Sequence, residues 1–278
     1  MGNFLPSTES QREQMMQAIC ITNACDLYGD IPQDMRKKAA EAVASLPNGV
    51  SEFETLDQMK ELANKNRVFD AIFRGAGAYW HHVPAVVSRI AAKEAFVTAY
   101  TPYQPEISQG ILQTIFEYQT ILCELTGMDA GNASVYDGAT AAAEAAAMCR
   151  ERSRTTTLLA GGLHPDSIET VQTYCYGADA PCIVLPNKDG KLDLEALKTA
   201  LDGGVASLIL QSPNYFGIIE DVPAIAELVH AVGAKLVLSM NPTAMALLKN
   251  PAELGADVAI GDGQPLGIPL GFGGPYLG

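Results

Sequence analysis

The sequence predicts an α/β fold, a mainly parallel sheet between two layers of helices, preceded by a helical N-terminal arm. Three observations carry this. From Ala133 onward, apolar runs of strand length alternate with segments whose apolar residues recur at helical spacing. The junctions between them concentrate Gly, Pro and Asp, residues that supply turn conformations and helix caps. Strand–helix–strand repetition of this kind builds parallel sheets with both faces covered.

The stretch to about Asn66 is rich in helix formers, and Ser10-Gln11-Arg12-Glu13 has the pattern of a capping box ahead of Met15, Met16 and Ile19. Residues 1–66 are therefore expected to form the arm and residues 67–278 the α/β domain. Between Arg74 and Gln109 the density of Gly, Pro and aromatic residues argues against regular structure. A long ordered loop in a compact protein is usually functional. Strands are expected at Ala133–Tyr136, Thr156–Ala160, Cys182–Leu185, Ser207–Leu210, Lys235–Met240 and Val258–Ile260. Helices are expected at Ala139–Arg152, Pro165–Tyr176, Leu194–Leu201, Pro223–Val232 and Thr243–Leu248. The sequence stops after GFGGPYLG, a Gly-rich apolar run that reads as the middle of a fold, so a C-terminal truncation is expected.

Composition narrows the function classes. Eighteen basic residues stand against thirty-two acidic ones, a net charge of -14, so no basic stripe survives to hold nucleic acid. No run of about 18 apolar residues offers a membrane span, and Met1–Ser10 lacks the layout of a secretion signal, so a cytoplasmic location is expected. The six cysteines include no CxxC pair and are read as reduced packing residues rather than metal ligands or disulfides.

Two segments carry candidate chemistry. Tyr136-Asp137-Gly138-Ala139-Thr140 follows an apolar run and opens an Ala-rich helix. Free N–H groups and the dipole at such a start suit a phosphate, and small residues permit close approach. The same pattern equally describes an ordinary N-cap by Asp137. In Ala99–Gly110, AYTPYQPEISQG, the side chains of Tyr100, Tyr103, Gln104, Glu106 and Gln109 are crowded into a turn-rich stretch able to orient a small polar substrate. The other reading is a proline-stiffened surface loop with a solvated Glu106.

Beyond these local patterns, Thr98–Ala147 (TAYTPYQPEISQGILQTIFEYQTILCELTGMDAGNASVYDGATAAAEAA) closely resembles the N-terminal half of glycine cleavage system P-proteins. The runs QSPNYFGIIEDV (Gln211–Val222), GADVAIGDGQPLGIPLGFGGPYLG (Gly255–Gly278), FLPSTESQREQMMQAI and DIPQDMRKKA agree with it. The resemblance covers essentially the whole chain and is to the alpha type of two-subunit P-proteins.

The resemblance implies the large domain of fold-type-I pyridoxal phosphate enzymes, an α/β sandwich around a mainly parallel seven-stranded sheet, with the small C-terminal domain missing. In such enzymes a lysine after a strand forms the Schiff base with the cofactor, because an amine is needed to hold and release the aldehyde. Aligned from its Gly-rich end, this chain carries Gln264 at that position. Asn241 stands where an Asp pairs with the pyridine nitrogen. Gly138, Ala139 and Thr140 are then a vestigial phosphate cradle or a plain helix cap, and the cap is favoured. Lys235 and Lys249 lie on the wrong elements to replace the missing amine.

Pyridoxal phosphate is thus expected on a partner beta subunit in an alpha2beta2 assembly. That assembly would decarboxylate glycine and pass the aminomethyl group to the lipoyl arm of H-protein, an oxidoreductase acting on CH–NH2 with a disulfide acceptor. Tyr100, Tyr103, Gln104, Glu106 and Gln109 are the candidates lent across the subunit boundary. His81 and His82 are weaker candidates for the same pocket, with packing near Trp80 as the competing reading. His164, where active relatives stack a histidine on the cofactor, is expected to cap or brace a loop. Two other readings stay open: a noncatalytic scaffold for beta, and a self-sufficient pyridoxal phosphate enzyme using another lysine.

Overall fold

The computed structural model describes residues 7–47, 49–71, 73, 77, 79–271 and 277–278. Parts of the motifs quoted above, residues 4–6 and 272–276, lie outside them. The chain divides into two compact units, Met1–Ile72 and Phe73–Gly278.

The first unit is helical: α1 (Glu9–Ala18), α2 (Gln33–Ala44) and α3 (Glu52–Ala63), with a 3-10 turn at Ala24–Tyr28. The capping box of α1 lies two residues earlier than expected. Thr8, extended at φ -64 and ψ 163, accepts from the Gln11 amide, and the Gln11 side chain accepts from Thr8 N, so Ser10 is inside the helix. None of the three helices buries a residue, and Met15, Met35, Phe53 and Met59 are each at least half exposed.

The second unit begins with short helices α4 (Ala85–Ala91) and α5 (Glu94–Val97), then the long α6 (Pro105–Thr126). The expectation of an irregular 74–109 is corrected here. Pro84 N-caps α4, and Pro105 is the first residue of α6, where its missing N–H leaves no bond unmade. Gly127, left-handed at φ 75, ends α6. The expected strand Ala133–Tyr136 is also absent. Val135 instead exchanges two backbone hydrogen bonds with Gly278, too little for a ladder.

Next come α7 (Gly138–Cys149), β1 (Thr156–Ala160), α8 (Pro165–Gly177), β2 (Cys182–Leu185), the hairpin β3 (Asn187–Lys188) and β4 (Lys191–Leu192), and α9 (Leu194–Ala200). They are followed by β5 (Val205–Gln211), α10 (Val222–Ala231), β6 (Lys235–Ser239) and β7 (Val258–Ile260). The segment expected as a helix at Thr243–Leu248 is a 3-10 turn, Pro242–Ala246. The hairpin was not anticipated, although Asp189-Gly190, both at positive φ, is a strong two-residue turn signal.

The main sheet has the order β2-β1-β5-β6-β7, and its pairings are all parallel. Alternation along the strands sends Leu158, Leu208, Leu210, Leu236 and Leu238 against α9 and α10. Leu159, Ile209 and Val237 face α7 and α8. The small residues Ala142, Ala143, Ala145 and Ala146 let α7 lie close on the sheet. This is the three-layer α/β arrangement the sequence predicted. No helix among the described residues is long and apolar enough to cross a membrane.

Candidate functional site

In a sheet of this order the chain leaves β1 toward β2 on one side and returns to β5 on the other, and the crevice at such a switch point is the usual ligand site. Here the two loops bounding it are tied together. The Gln211 side chain accepts from His164 N at 3.0 Å, and Tyr215 N donates to Gly162 O at 2.7 Å. His164 caps α8, its Nδ1 accepting from Asp166 N, and its ring meets Tyr215 edge-on at 5.3 Å.

Below this crevice lies a buried polar hub that sequence reasoning missed. Asn214 donates to Gly190 O and to Glu220 Oε1, both at 2.8 Å, while its own oxygen accepts from Phe216 N and Ile218 N. Glu220 also accepts from Leu192 N. The QSPNYFGIIEDV run is thereby explained as the loop that clamps the β3–β4 hairpin onto the sheet.

The candidate cofactor positions are each engaged by the chain itself. Gln264 is buried, at 3% exposure, and its side-chain amide donates to Ile268 O. Asn241 Oδ1 accepts from Thr243 N at 2.9 Å and Thr243 Oγ1 at 2.7 Å, capping the 3-10 turn. At the start of α7, Asp137 accepts from Thr140 N at 2.7 Å. Gly138 N donates to Asp262, on the turn after β7, at 3.2 Å. Burial holds the Asp262 carboxyl above its usual range against the donations of Gln264, Gly138 and Leu277 N–H, and the Asp137 charge adds to the rise.

The resemblance noted in the sequence implies pyridoxal phosphate as the cofactor of such a fold. The residues at its expected place do not fit it. Position 264 has no amine, Asn241 has no charge and spends its acceptor locally, and two carboxylates hold amides of the α7 N-terminus that a phosphate would need. Asp262 was the residue sequence reasoning overlooked. Its signal was an acid flanked by two glycines beyond a strand, in a run read only for Gln264.

Beside Asp262 an apolar cavity of about 560 Å³ lies against β7, between α6 and α7, lined by Leu122, Met128, Met148, Met240 and Ile260. The Tyr118 phenol borders it, pushed up by burial and then by the Asp262 charge.

Of the five residues picked from Ala99–Gly110, Tyr100, Tyr103, Gln104 and Gln109 border one open groove of about 740 Å³, built entirely from residues 95–111. Glu106, in the first turn of α6, is not among the residues lining it. Tyr100 is fully exposed and Tyr103 is 76% exposed. None of Asn241, Gln264, Gly138, Ala139 or Thr140 lines this groove, so the chain does not bring the two candidate sets together in it. His81 is partly buried, with no hydrogen-bond partner for Nε2 among the described residues, while His82 and Trp80 are exposed. All six cysteines are free: Cys149 and Cys175 are buried, but Cys20 and Cys25 are exposed rather than packed.

The model of the family described as glycine cleavage system P-protein matches residues 2–278. Similar relatives include the probable glycine dehydrogenase (decarboxylating) subunit 1 of Desulfitobacterium hafniense, 45% identical over 99% of this chain and 62% of its own length. That of Desulforamulus reducens is 47% identical with the same coverage. A crystal structure of glycine decarboxylase (P-protein) of the glycine cleavage system, in inhibitor-bound form, superposes with a TM-score of 0.87 at 38% identity, over 99% of this chain and 62% of that one. Burkholderia pseudomallei sphingosine-1-phosphate lyase shares the fold alone, with a TM-score of 0.60 at 15% identity over 79% of this chain and 57% of its own. The chain thus spans about 62% of the length of the P-protein relatives it matches. Matched by the family model over residues 2–278 and superposing on a P-protein structure across 99% of its length, the chain belongs to the glycine cleavage system P-proteins.

Proposed function

We propose that this chain is the cofactor-free alpha subunit of a cytoplasmic glycine dehydrogenase (decarboxylating). In this reading a beta subunit carries pyridoxal phosphate in an alpha2beta2 assembly that decarboxylates glycine and hands the aminomethyl group to lipoylated H-protein. The observation that carries it is Gln264: a buried amide, already bonded to Ile268 O, stands where the chemistry needs an amine. The cofactor, when bound to the partner, supplies the electron sink for decarboxylation. This chain's own work is to complete the pocket. Tyr100, Tyr103, Gln104 and Gln109 face outward from one groove, and Glu106 stands exposed beside them, a placement that supports lending them to a neighbouring subunit. There the phenol and amide donors would fix the glycine carboxylate or the cofactor ring and exclude water at small entropic cost, because Pro102 and Pro105 stiffen the segment.

Co-expression with a lysine-bearing beta subunit, followed by glycine–bicarbonate exchange, tests this. Tyr103→Phe and Glu106→Gln complexes should assemble normally yet exchange about tenfold or more slowly, the loss of one hydrogen bond realised at the transition state. Normal exchange by both variants would instead make this chain a scaffold for beta.

A further inference from the structure

A helix N-terminus is an anion site by construction, since its first amides have no partner within the helix and its dipole is positive there. The sequence offers such a start at Gly138, and a cofactor phosphate is the anion it would be expected to take. The structure assigns it another occupant: we infer that Asp262 is a resident anion, placed by the turn after β7 on the N-terminus of α7, and that it excludes phosphate from this subunit.

Four observations converge. Asp262 Oδ2 accepts from Gly138 N, while Oδ1 accepts from Gln264 N at 2.9 Å and Leu277 N also donates to the carboxyl. Asp137 takes the Thr140 amide, so of the first three amides of α7 two already meet carboxylates. Gly138 eases this contact: a Cβ there would sit tightly, 3.3 Å, against Gly261 O and in ordinary contact, 3.5 Å, with Asp262 Cβ. The small residue that would admit a phosphate admits the Gly261–Asp262 turn. Finally, a phosphate arriving here would face two carboxylates in a half-buried place, where like charges are poorly screened.

Loss of the cofactor in this subunit is therefore more than loss of one amine. The anion subsite has been taken over as a structural lock between α7 and the loop that carries Gln264. This inference concerns the chain's own residues and does not depend on the assembly proposed above.

Isothermal titration with inorganic phosphate, pyridoxal phosphate and pyridoxal decides it. The wild-type chain and Asp262→Glu, which keeps the charge, are expected to show no saturable phosphate binding. Asp262→Asn keeps the shape and one acceptor oxygen, enough for only one of the Gly138 and Gln264 amides that Oδ2 and Oδ1 hold in the wild type, and should bind phosphate and pyridoxal phosphate at least about tenfold more tightly than wild type. Pyridoxal, which lacks the anion, should not distinguish the variants. Asp262→Ser removes the charge with a smaller side chain and is read in the same way should the Asn variant fold poorly. Saturable phosphate binding by the wild-type chain overturns the inference, and so does a folded neutral variant that binds no better than wild type.

Discussion

Glu220 shows how far a single side chain is governed by its neighbours. At 5% exposure a carboxylate is costly to bury, and it is kept there by donations from Asn214 Nδ2 and Leu192 N. Glu220→Ala leaves both donors without an acceptor. A loss of about 2–4 kcal/mol is expected, read as a lower urea midpoint, whereas Glu220→Gln should lose less because it keeps an acceptor. Nothing in the linear sequence marks Glu220 as more than one acid among many, since its partners are 6 and 28 residues away. Gln264 is the opposite case. Its identity alone rules out an amine, and the structure adds only that the amide is buried and occupied. Asp262 lies between the two: a capping role is legible in principle for an acid between glycines, but its target, Gly138 N, is 124 residues away.

Among the elements, the strands of the main sheet were the most legible. Thr156–Ala160, Cys182–Leu185 and Val258–Ile260 coincide with expectation, and β5 and β6 differ by one or two residues at their ends. β1, β5 and the middle of β6 are buried on both faces, so their continuous apolar character is imposed by the fold and visible in sequence, while the outer strands β2 and β7 stay partly exposed. Gly and Pro density is a poor guide to the region 74–109, because Pro84 and Pro105 sit at helix starts, where proline is tolerated. The turn after β1 supplies a test. A Cβ on Gly161 would lie 2.6 Å from Leu185 O, a backbone atom of the neighbouring strand that cannot swing away. Gly161→Ala should cost about 1–3 kcal/mol in thermal or urea unfolding, with the loss traced by exchange of the β1 and β2 amides.

For the molecule as a whole, stability is unevenly placed. The helices of residues 1–72 bury no side chain, and helices of 10–12 residues are marginal without packing. Amides of α1, α2 and α3 in the isolated chain should exchange with little protection, while those of β5 and β6 exchange only on global opening. Equal protection in both units would contradict this.

Acid should also weaken the chain through Asp257. Burial pushes this carboxyl up, but the Leu236 N–H bond, then His230 at 2.8 Å and Lys235, outweigh it and hold it below its usual range. A lowered folded value contributes stability above the ordinary Asp value of about 4, and that contribution is lost as pH falls through the folded value. The gap in urea midpoint between wild type and Asp257→Asn should therefore be widest near neutral pH and close on acidification.

Fold class and the strands of the main sheet were readable from residue order, because periodicity and turn chemistry are local properties. Which carboxylate caps α7, which loop closes the switch-point crevice and which acid is safe to bury were decided only in three dimensions. Those answers rest on hydrogen bonds between residues far apart in the chain, and no spacing rule links the partners until the sheet has brought them together.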